Sequence, residues 1–208
     1  VEYGRQPVIS AERMVVPPGD FVNTKSRNMT WHDMVPTAQV AAERASIEPK
    51  AEEGRKMKVE ALDVLKAGLE VFSAPHVGDD KKSILAMPEF LQAYARFKPA
   101  DLNTVLIASL NNGDVQMRAT AASLMGNQPL SKENIEALKK AFDLAFVKDK
   151  SDNDALLSIL GALNKLDKKS SVGTFLVALN APDYLVRKRV FEILADKDLQ
   201  KDFPGIPT

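Results

Sequence analysis

The most informative stretch of the sequence is GDVQMRATAASLM, residues 113–125, because its pattern occurs a second time as PDYLVRKRVFEIL, residues 182–194. Asp114 and Asp183 lie 69 residues apart, and Arg118 and Arg187 lie the same 69 residues apart. The apolar residues upstream keep this offset. A constant offset of this kind predicts a repeat array, in which each repeat is one supersecondary unit.

Candidate N-caps divide residues 101–200 into regular helical segments. Ser, Asp and Asn side chains accept hydrogen bonds from the free backbone N–H groups at a helix start. The run Asn111-Asn112-Gly113 should end one helix, since Gly is common just past a helix end. The caps predict six helices, beginning after Asp101, Asp114, Ser131, Ser151 or Asp152, Ser170 or Ser171, and Asp183. Helix pairs therefore recur about every 33 to 36 residues, and no strand-like alternation competes with them.

The first hundred residues are less regular. Residues 1–29 contain Pro and Gly without a helical period, and we expect an irregular arm there. Apolar spacing predicts a helix from Thr30 to about residue 47 and another over 52–71, with a loop at 73–80. A short helix over 81–87 should precede a second one opened by Pro88. The predicted parts are the arm (1–29), divergent helical hairpins (30–100), repeats (101–200) and a linker (201–208).

The fold class that these patterns favour is all-α: a solenoid of stacked antiparallel helix hairpins. One hairpin cannot bury its apolar face alone, whereas stacked hairpins share a continuous core. Asp114 and Asp183 should cap helices at the turn inside a hairpin, where a carboxylate also meets the positive end of the helix dipole. Arg118 and Arg187, one turn further on, should reach that Asp or the Asp of an adjoining repeat. Asp154 stands near the place where the middle repeat should have its Arg, so the series is partial.

The Asp–Arg pattern resembles the inner turn and second helix of HEAT repeats, and most of all the short bacterial PBS-lyase HEAT-like repeats. The resemblance covers residues 101–200 well and 30–100 poorly. The segment from Pro182 to Arg189, followed by a proline-bearing linker, is also similar to arrays that precede a cyclophilin-type peptidyl-prolyl isomerase domain in some bacterial proteins. That domain would be a β-barrel with a catalytic Arg, and no residue here matches it.

Bulk composition excludes several classes of function. The chain has 28 basic and 28 acidic residues, so its net charge gives no reason to expect nucleic acid as a partner. It has no cysteine, and no apolar run approaches the ~20 residues of a membrane span. No signal-peptide pattern is present, which leaves a cytoplasmic or a periplasmic location open. The start at Val1 and the Pro- and Gly-containing end lead us to expect a segment of a longer protein.

Candidate catalytic groups are few. The two histidines are His32 and His76, and only His76, with Asp79 and Asp80 nearby, suggests a metal site. The run Trp31-His32-Asp33 is more typical of a helix start than of a base with its orienting acid. The basic cluster 187–189 is followed by acidic residues, which is typical of a solvated helix end. We therefore assign no catalytic, cofactor-binding or metal residue, and expect no cofactor.

Three functional hypotheses follow. The first is a non-catalytic interaction scaffold that binds a protein partner or positions an attached domain. The second is the scaffold region of a multidomain cyclophilin-type isomerase. The third is a small metal-dependent enzyme using the arm and residues 73–80. In the first, Asp114, Arg118, Asp183 and Arg187 are structural residues of the inner turns.

Overall fold

A computed structural model describes residues 59, 61–63, 65–66, 69, 81–149 and 152–207. All regular secondary structure in these ranges is helical, which confirms the all-α prediction for them. Described positions between 59 and 69 are helical, within the predicted 52–71 helix. The arm, the helix from Thr30 and the loop 73–80 lie outside the described residues. The helices with defined bounds are α1 (Lys81–Arg96), α2 (Leu102–Leu110), α3 (Val115–Met125), α4 (Lys132–Lys148), α5 (Asp154–Asp167), α6 (Val172–Ala178), α7 (Tyr184–Leu194) and α8 (Lys197–Asp202).

The helices contact one another in two sets. In the even set, α2 contacts α4 and α4 contacts α6. In the odd set, α1 contacts α3, α3 contacts α5 and α5 contacts α7. The sets meet where α2 packs on α3, α4 on α5 and α6 on α7. A single apolar core runs between them and includes the fully buried Leu106, Leu138, Leu160, Phe175 and Val190.

Three of the predicted N-caps are confirmed. The Asp114 carboxylate accepts from the Met117 backbone N–H at 2.8 Å. The Ser131 hydroxyl accepts from Asn134 N–H at 3.1 Å. Asp183 accepts from the N–H groups of residues 185 and 186 at 2.6 and 3.2 Å. Each bond satisfies a backbone donor that the first helical turn leaves free.

The prediction that Asp101 caps α2 was wrong. Asp101 stands at the N-cap position, but its side chain makes no capping bond. Its carboxylate accepts instead from the Tyr94 hydroxyl at 2.5 Å and from Lys66 Nζ at 2.8 Å. Hydrogen bonds that involve an ionised group are the stronger ones, and Lys66 makes the pair charged on both sides.

Two other helix starts also differ from expectation. The N-cap of α5 is Asn153, not Ser151 or Asp152, because the Asp152 carboxylate accepts from Asp154 N–H within the preceding turn. The N-cap of α6 is Ser171, one of the two predicted residues, but its hydroxyl makes no capping bond.

Pro88 lies inside α1 and does not open a second helix, so the predicted break after residue 87 was wrong. Proline removes one helical hydrogen bond. The residues that follow it, Phe90, Leu91 and Tyr94, are almost completely buried. Burial of these large side chains stabilises a continuous helix despite the lost bond.

Helix α2 ends at Leu110, directly before the run 111–113 as predicted, but Gly113 is not the residue that caps it. The C-cap is Asn111, whose side-chain amide donates to the Ile107 carbonyl at 3.0 Å. Among the described glycines, only Gly205 has a positive φ. The last carbonyls of α2 therefore accept from the Asn111 side chain and from the backbone N–H groups of residues 111 and 112, without a glycine in the left-handed conformation.

Helix α8 was not predicted as a separate element. Asp196 caps it by accepting from the N–H groups of Asp198 and Leu199 at 3.0 and 3.2 Å. Leu199 is fully buried, and Lys168 pairs with Asp196 at 2.6 Å. Residues 201 and 202, the first of the expected 201–208 linker, are thus helical. The ion pair between Lys168 and Asp196 connects the start of α8 to the turn that joins α5 and α6.

Candidate interaction site

Arg118 lies at the centre of a buried cluster between two turns. Its Nη1 donates to the carbonyls of Asn112 and Gly113 at 2.6 and 2.9 Å, in the turn between α2 and α3. Its Nη2 donates to both carboxylate oxygens of Asp149 at 2.5 Å, in the turn between α4 and α5. Both side chains are nearly inaccessible to solvent. One guanidinium therefore joins the turns of two successive helix pairs.

Arg187 repeats only half of this arrangement. Its Nη1 donates to the carbonyls of Ala181 and Pro182 at 2.7 and 2.6 Å, the same two positions before it in sequence that Arg118 uses. Among the described residues, no carboxylate pairs with Arg187. Its side chain is half-buried, whereas that of Arg118 is 1% exposed.

The structure thus places the four inner-turn residues in two distinct roles. Asp114 and Asp183 are occupied as helix caps and accept no bond from an arginine in the described structure. Arg118 and Arg187 each donate hydrogen bonds to two backbone carbonyls of the turn that precedes their own helix. Arg118 was expected to reach its own Asp or the Asp of an adjoining repeat, and it pairs with Asp149 in the turn of the next helix pair.

Asp149 is the member of this cluster that we did not identify from the sequence. It follows Asp114 by 35 residues and precedes Asp183 by 34, so it falls close to the middle of the 69-residue offset. That spacing was the available signal. Asp149 is not followed by an Arg four residues later, as Asp114 and Asp183 are, so the Asp–Arg pattern does not mark it.

A polar groove runs over one face of the odd set, across α1, α3 and α5. It has a volume of about 570 Å³, within the range of ligand-binding clefts. Amide and hydroxyl side chains dominate its lining, with one cation and one anion. The polar groove is defined by Gln92 and Arg96 of α1, Gln116, Thr120 and Ser123 of α3, and Asp154 and Ser158 of α5.

The polar groove continues into a second cavity of about 660 Å³ beside the turn between α1 and α2. The two cavities share Arg96, Leu124 and Asn127 in their linings. The second cavity adds Lys98, which is exposed. The two cavities therefore adjoin, and together they form what we call the channel, with Asp154 in the lining at one end and Lys98 at the other.

These groove residues were not identified from the sequence. Each lies on the polar face of its own helix, and such a face alone indicates only contact with solvent. The polar groove forms because α1, α3 and α5 lie side by side, and this packing cannot be predicted from the sequence of any one helix.

The other candidate groups add no chemistry to this site. His32, His76, Asp79 and Asp80 lie outside the described residues. Within the part of the chain that the structure describes, no three His, Asp or Glu side chains are placed to hold a metal ion. In the basic cluster, Arg189 pairs with the exposed Glu192 at 3.4 Å, as expected for a solvated helix. None of the described helices is long and apolar enough to cross a bilayer.

The groove and the Arg118 cluster are thus the features on which a function must be based. In comparisons with known proteins, no family model matches the chain, and no curated protein or solved structure shows significant similarity to it.

Proposed function

We propose that this chain is an α-solenoid of the HEAT type, built from stacked antiparallel helix hairpins, and that it acts as a non-catalytic protein-interaction scaffold. Its binding surface is the polar groove on the odd set of helices. Arg118 and Asp149 hold two successive hairpins in register, and Asp114, Asp183 and Arg187 stabilise the turns and helix starts within their own hairpins.

The observation that carries this proposal is the order of the helix contacts. Each helix from α2 to α7 packs on its hairpin mate, and each helix from α2 to α5 also packs on the next helix of its own set. A closed bundle would bring the first and last helices together around one axis. A stack in which neighbours in sequence are neighbours in space is the pattern of repeat proteins.

The Arg118–Asp149 pair supports the same architecture. It links the inner turns of two successive hairpins and not two positions in one hairpin. Because the two side chains are buried, removing either one would leave an unpaired charge, so the pair favours one register between the hairpins.

The groove supports the assignment of a binding surface. Its lining is polar and open, and no group in it is arranged as a nucleophile with an adjacent base. Parallel helices of a solenoid present such rows of side chains to a partner without any catalytic machinery.

A photo-crosslinking amino acid at Ser123 tests the proposal in the native host. Ser123 lines the groove and is exposed, whereas Val147 on α4 is 67% exposed and outside the groove, which makes it the matched control. We expect a discrete protein adduct from the Ser123 position and none from the Val147 position. Adducts of equal yield from both positions, or none from either, would overturn the proposed surface.

A prolyl-isomerisation assay on the purified chain tests the non-catalytic part. We expect no acceleration over the uncatalysed rate, and measurable turnover would contradict the scaffold assignment. A parent protein with a cyclophilin-type domain, and a metal enzyme using His76, remain predictions from the sequence, and none of the described residues favours either one.

A further inference from the structure

The polar groove has unused hydrogen-bonding capacity that suits a peptide backbone. Gln92 has no hydrogen-bond partner in the described part of the chain, and it offers both a donor and an acceptor. The side-chain amide of Gln116 donates from Nε2 to the Asp154 carboxylate at 2.6 Å. This bond fixes the orientation of the amide and leaves its Oε1 free to accept a hydrogen bond from a ligand. Primary amides match the alternating N–H and C=O groups of an extended chain.

The charges along the channel are separated. Asp154 lies at the end where α3 and α5 begin. Arg96 and Lys98 lie near the end where α1 finishes, and Lys165 donates to the Asn127 side chain at the same side. Neither Arg96 nor Lys98 forms an ion pair with any described residue. The basic end is therefore complementary to a carboxylate.

Lys98 also has an unusual backbone. Its φ is 48°, and it is the sole non-glycine residue with a positive φ in the described ranges. The left-handed region is unfavourable for an L-residue with a side chain, and glycine is the usual occupant just past a helix end. Lys98 therefore places an exposed cation at the basic end of the channel, on a backbone conformation that glycine would adopt without strain.

We propose that the channel binds an extended peptide segment whose carboxylate is held by Arg96 and Lys98, while Gln92 and Gln116 bond its backbone. This inference rests on the proposed scaffold function and names its partner chemistry. The carboxylate belongs either to an Asp or Glu side chain or to a C-terminus, since both present the same two oxygens to a guanidinium.

Two libraries of random short peptides test the proposal on the full chain, one library with free C-termini and one with amidated C-termini. Binding is measured by fluorescence anisotropy at physiological ionic strength. We expect the selected binders from the amidated library to carry Asp or Glu if a side chain is the ligand. If the terminal carboxylate is the ligand, binders should come from the free library alone.

The double variant Arg96→Gln with Lys98→Gln should weaken the selected peptides at least about tenfold, the effect of losing one charge-assisted bond. The matched control is Lys132→Gln with Lys140→Gln, which removes two exposed charges from α4. It should leave affinity unchanged. The single variant Lys98→Gly should weaken binding while the melting temperature is unchanged or higher, because glycine relieves the backbone at this position.

Binders that lack a carboxylate, or affinity that is unchanged in the Arg96 and Lys98 double variant, would overturn the proposal. So would sedimentation showing a dimer that the double variant abolishes, since the occupant would then be a second copy of this chain. If the Ser123 crosslink is observed but the peptides bind without a carboxylate or independently of Arg96 and Lys98, only the carboxylate assignment is wrong and the scaffold function is still supported. Loss of both would remove the scaffold function too.

Discussion

Arg118 and Arg187 make the same hydrogen bonds to their own turns but lie in different environments. Each arginine donates to the carbonyls five and six residues before it, and each follows an Asp that caps the same helix. Only Arg118 meets a carboxylate, Asp149, from the next helix pair. The local sequence therefore determines which carbonyls of its own turn the arginine binds, and the neighbouring helix pair determines whether the arginine is buried.

The helices that carry these arginines differ in the same way. On α3, Ala122 is fully buried and Ala119 nearly so, and α5 packs closely there. The residues 69 positions later, Phe191 and Lys188 on α7, are exposed, Phe191 by 41%. An internal helix has small residues where its neighbour approaches. At the matching positions α7 has a larger and a charged residue, and both are exposed.

The largest effect should come from Asp149→Ala, because it leaves the Arg118 guanidinium buried without its carboxylate. We expect a loss of about 3–5 kcal/mol in the free energy of unfolding. Arg187→Gln, which removes a half-buried side chain bonded only to carbonyls, should cost about 1 kcal/mol. Urea unfolding of the two variants measures the difference. Equal losses would mean that the two corners are energetically equivalent despite their different partners.

Gly126→Ala should have the next largest effect. A Cβ at Gly126 would lie 3.1 Å from the Ala162 Cα of α5, closer than ordinary packing. We expect a loss of about 1–3 kcal/mol, since backbone cannot move aside cheaply. The control is Gly161→Ala within α5, where a Cβ meets nothing within 4 Å and should stabilise the helix by up to about 1 kcal/mol. A neutral Gly126→Ala would show that α3 and α5 are less tightly packed than described.

Asp114→Ala and Asp183→Ala should each cost about 1 kcal/mol through the lost cap. The two losses should be similar, because in the described structure each carboxylate accepts hydrogen bonds from backbone N–H groups at the start of its own helix. Thermal unfolding compares them. Unchanged melting temperatures would contradict the capping role, and a much larger loss for Asp114 would show that its cap also supports the Arg118 cluster.

The smallest effect concerns Asp101. The hydrogen bonds from Lys66 and Tyr94 lower the pKa of Asp101 in the folded chain. Its contribution is therefore present above the unfolded pKa, about 3.9, and is lost as the pH falls through the lower folded value. Stability between about pH 5 and pH 3 should fall less steeply in Asp101→Asn. The exposed position makes this difference small, and identical slopes would mean that the pair contributes nothing.

Much of the helical framework of residues 101–200 follows from sequence because caps and apolar spacing are local signals. Asp114, Ser131 and Asp183 were assigned correctly for that reason. Asp101 was assigned wrongly because its partners, Tyr94 and Lys66, come from elsewhere in the chain. The helix break predicted at Pro88 was wrong because the burial of Phe90 and Leu91 stabilises α1 across the proline. That burial depends on tertiary packing, which the local sequence does not show.

The site was less accessible to prediction than the helices. Arg118 was identified, with the correct type of partner, but Asp149 was not named. The groove residues were not found at all, because Gln92 and Gln116 are ordinary polar residues until α1 and α3 lie side by side.

The four hydrogen bonds of Arg118 fasten two consecutive turns with a single side chain. Nothing equivalent fastens the turn before α7 to another turn in the described structure. Thermal fluctuations should therefore release the C-terminal hairpin before the central one, and its amide hydrogens should exchange with solvent first. Such a gradient of local opening would leave the central helices ordered while α6 and α7 open and close again.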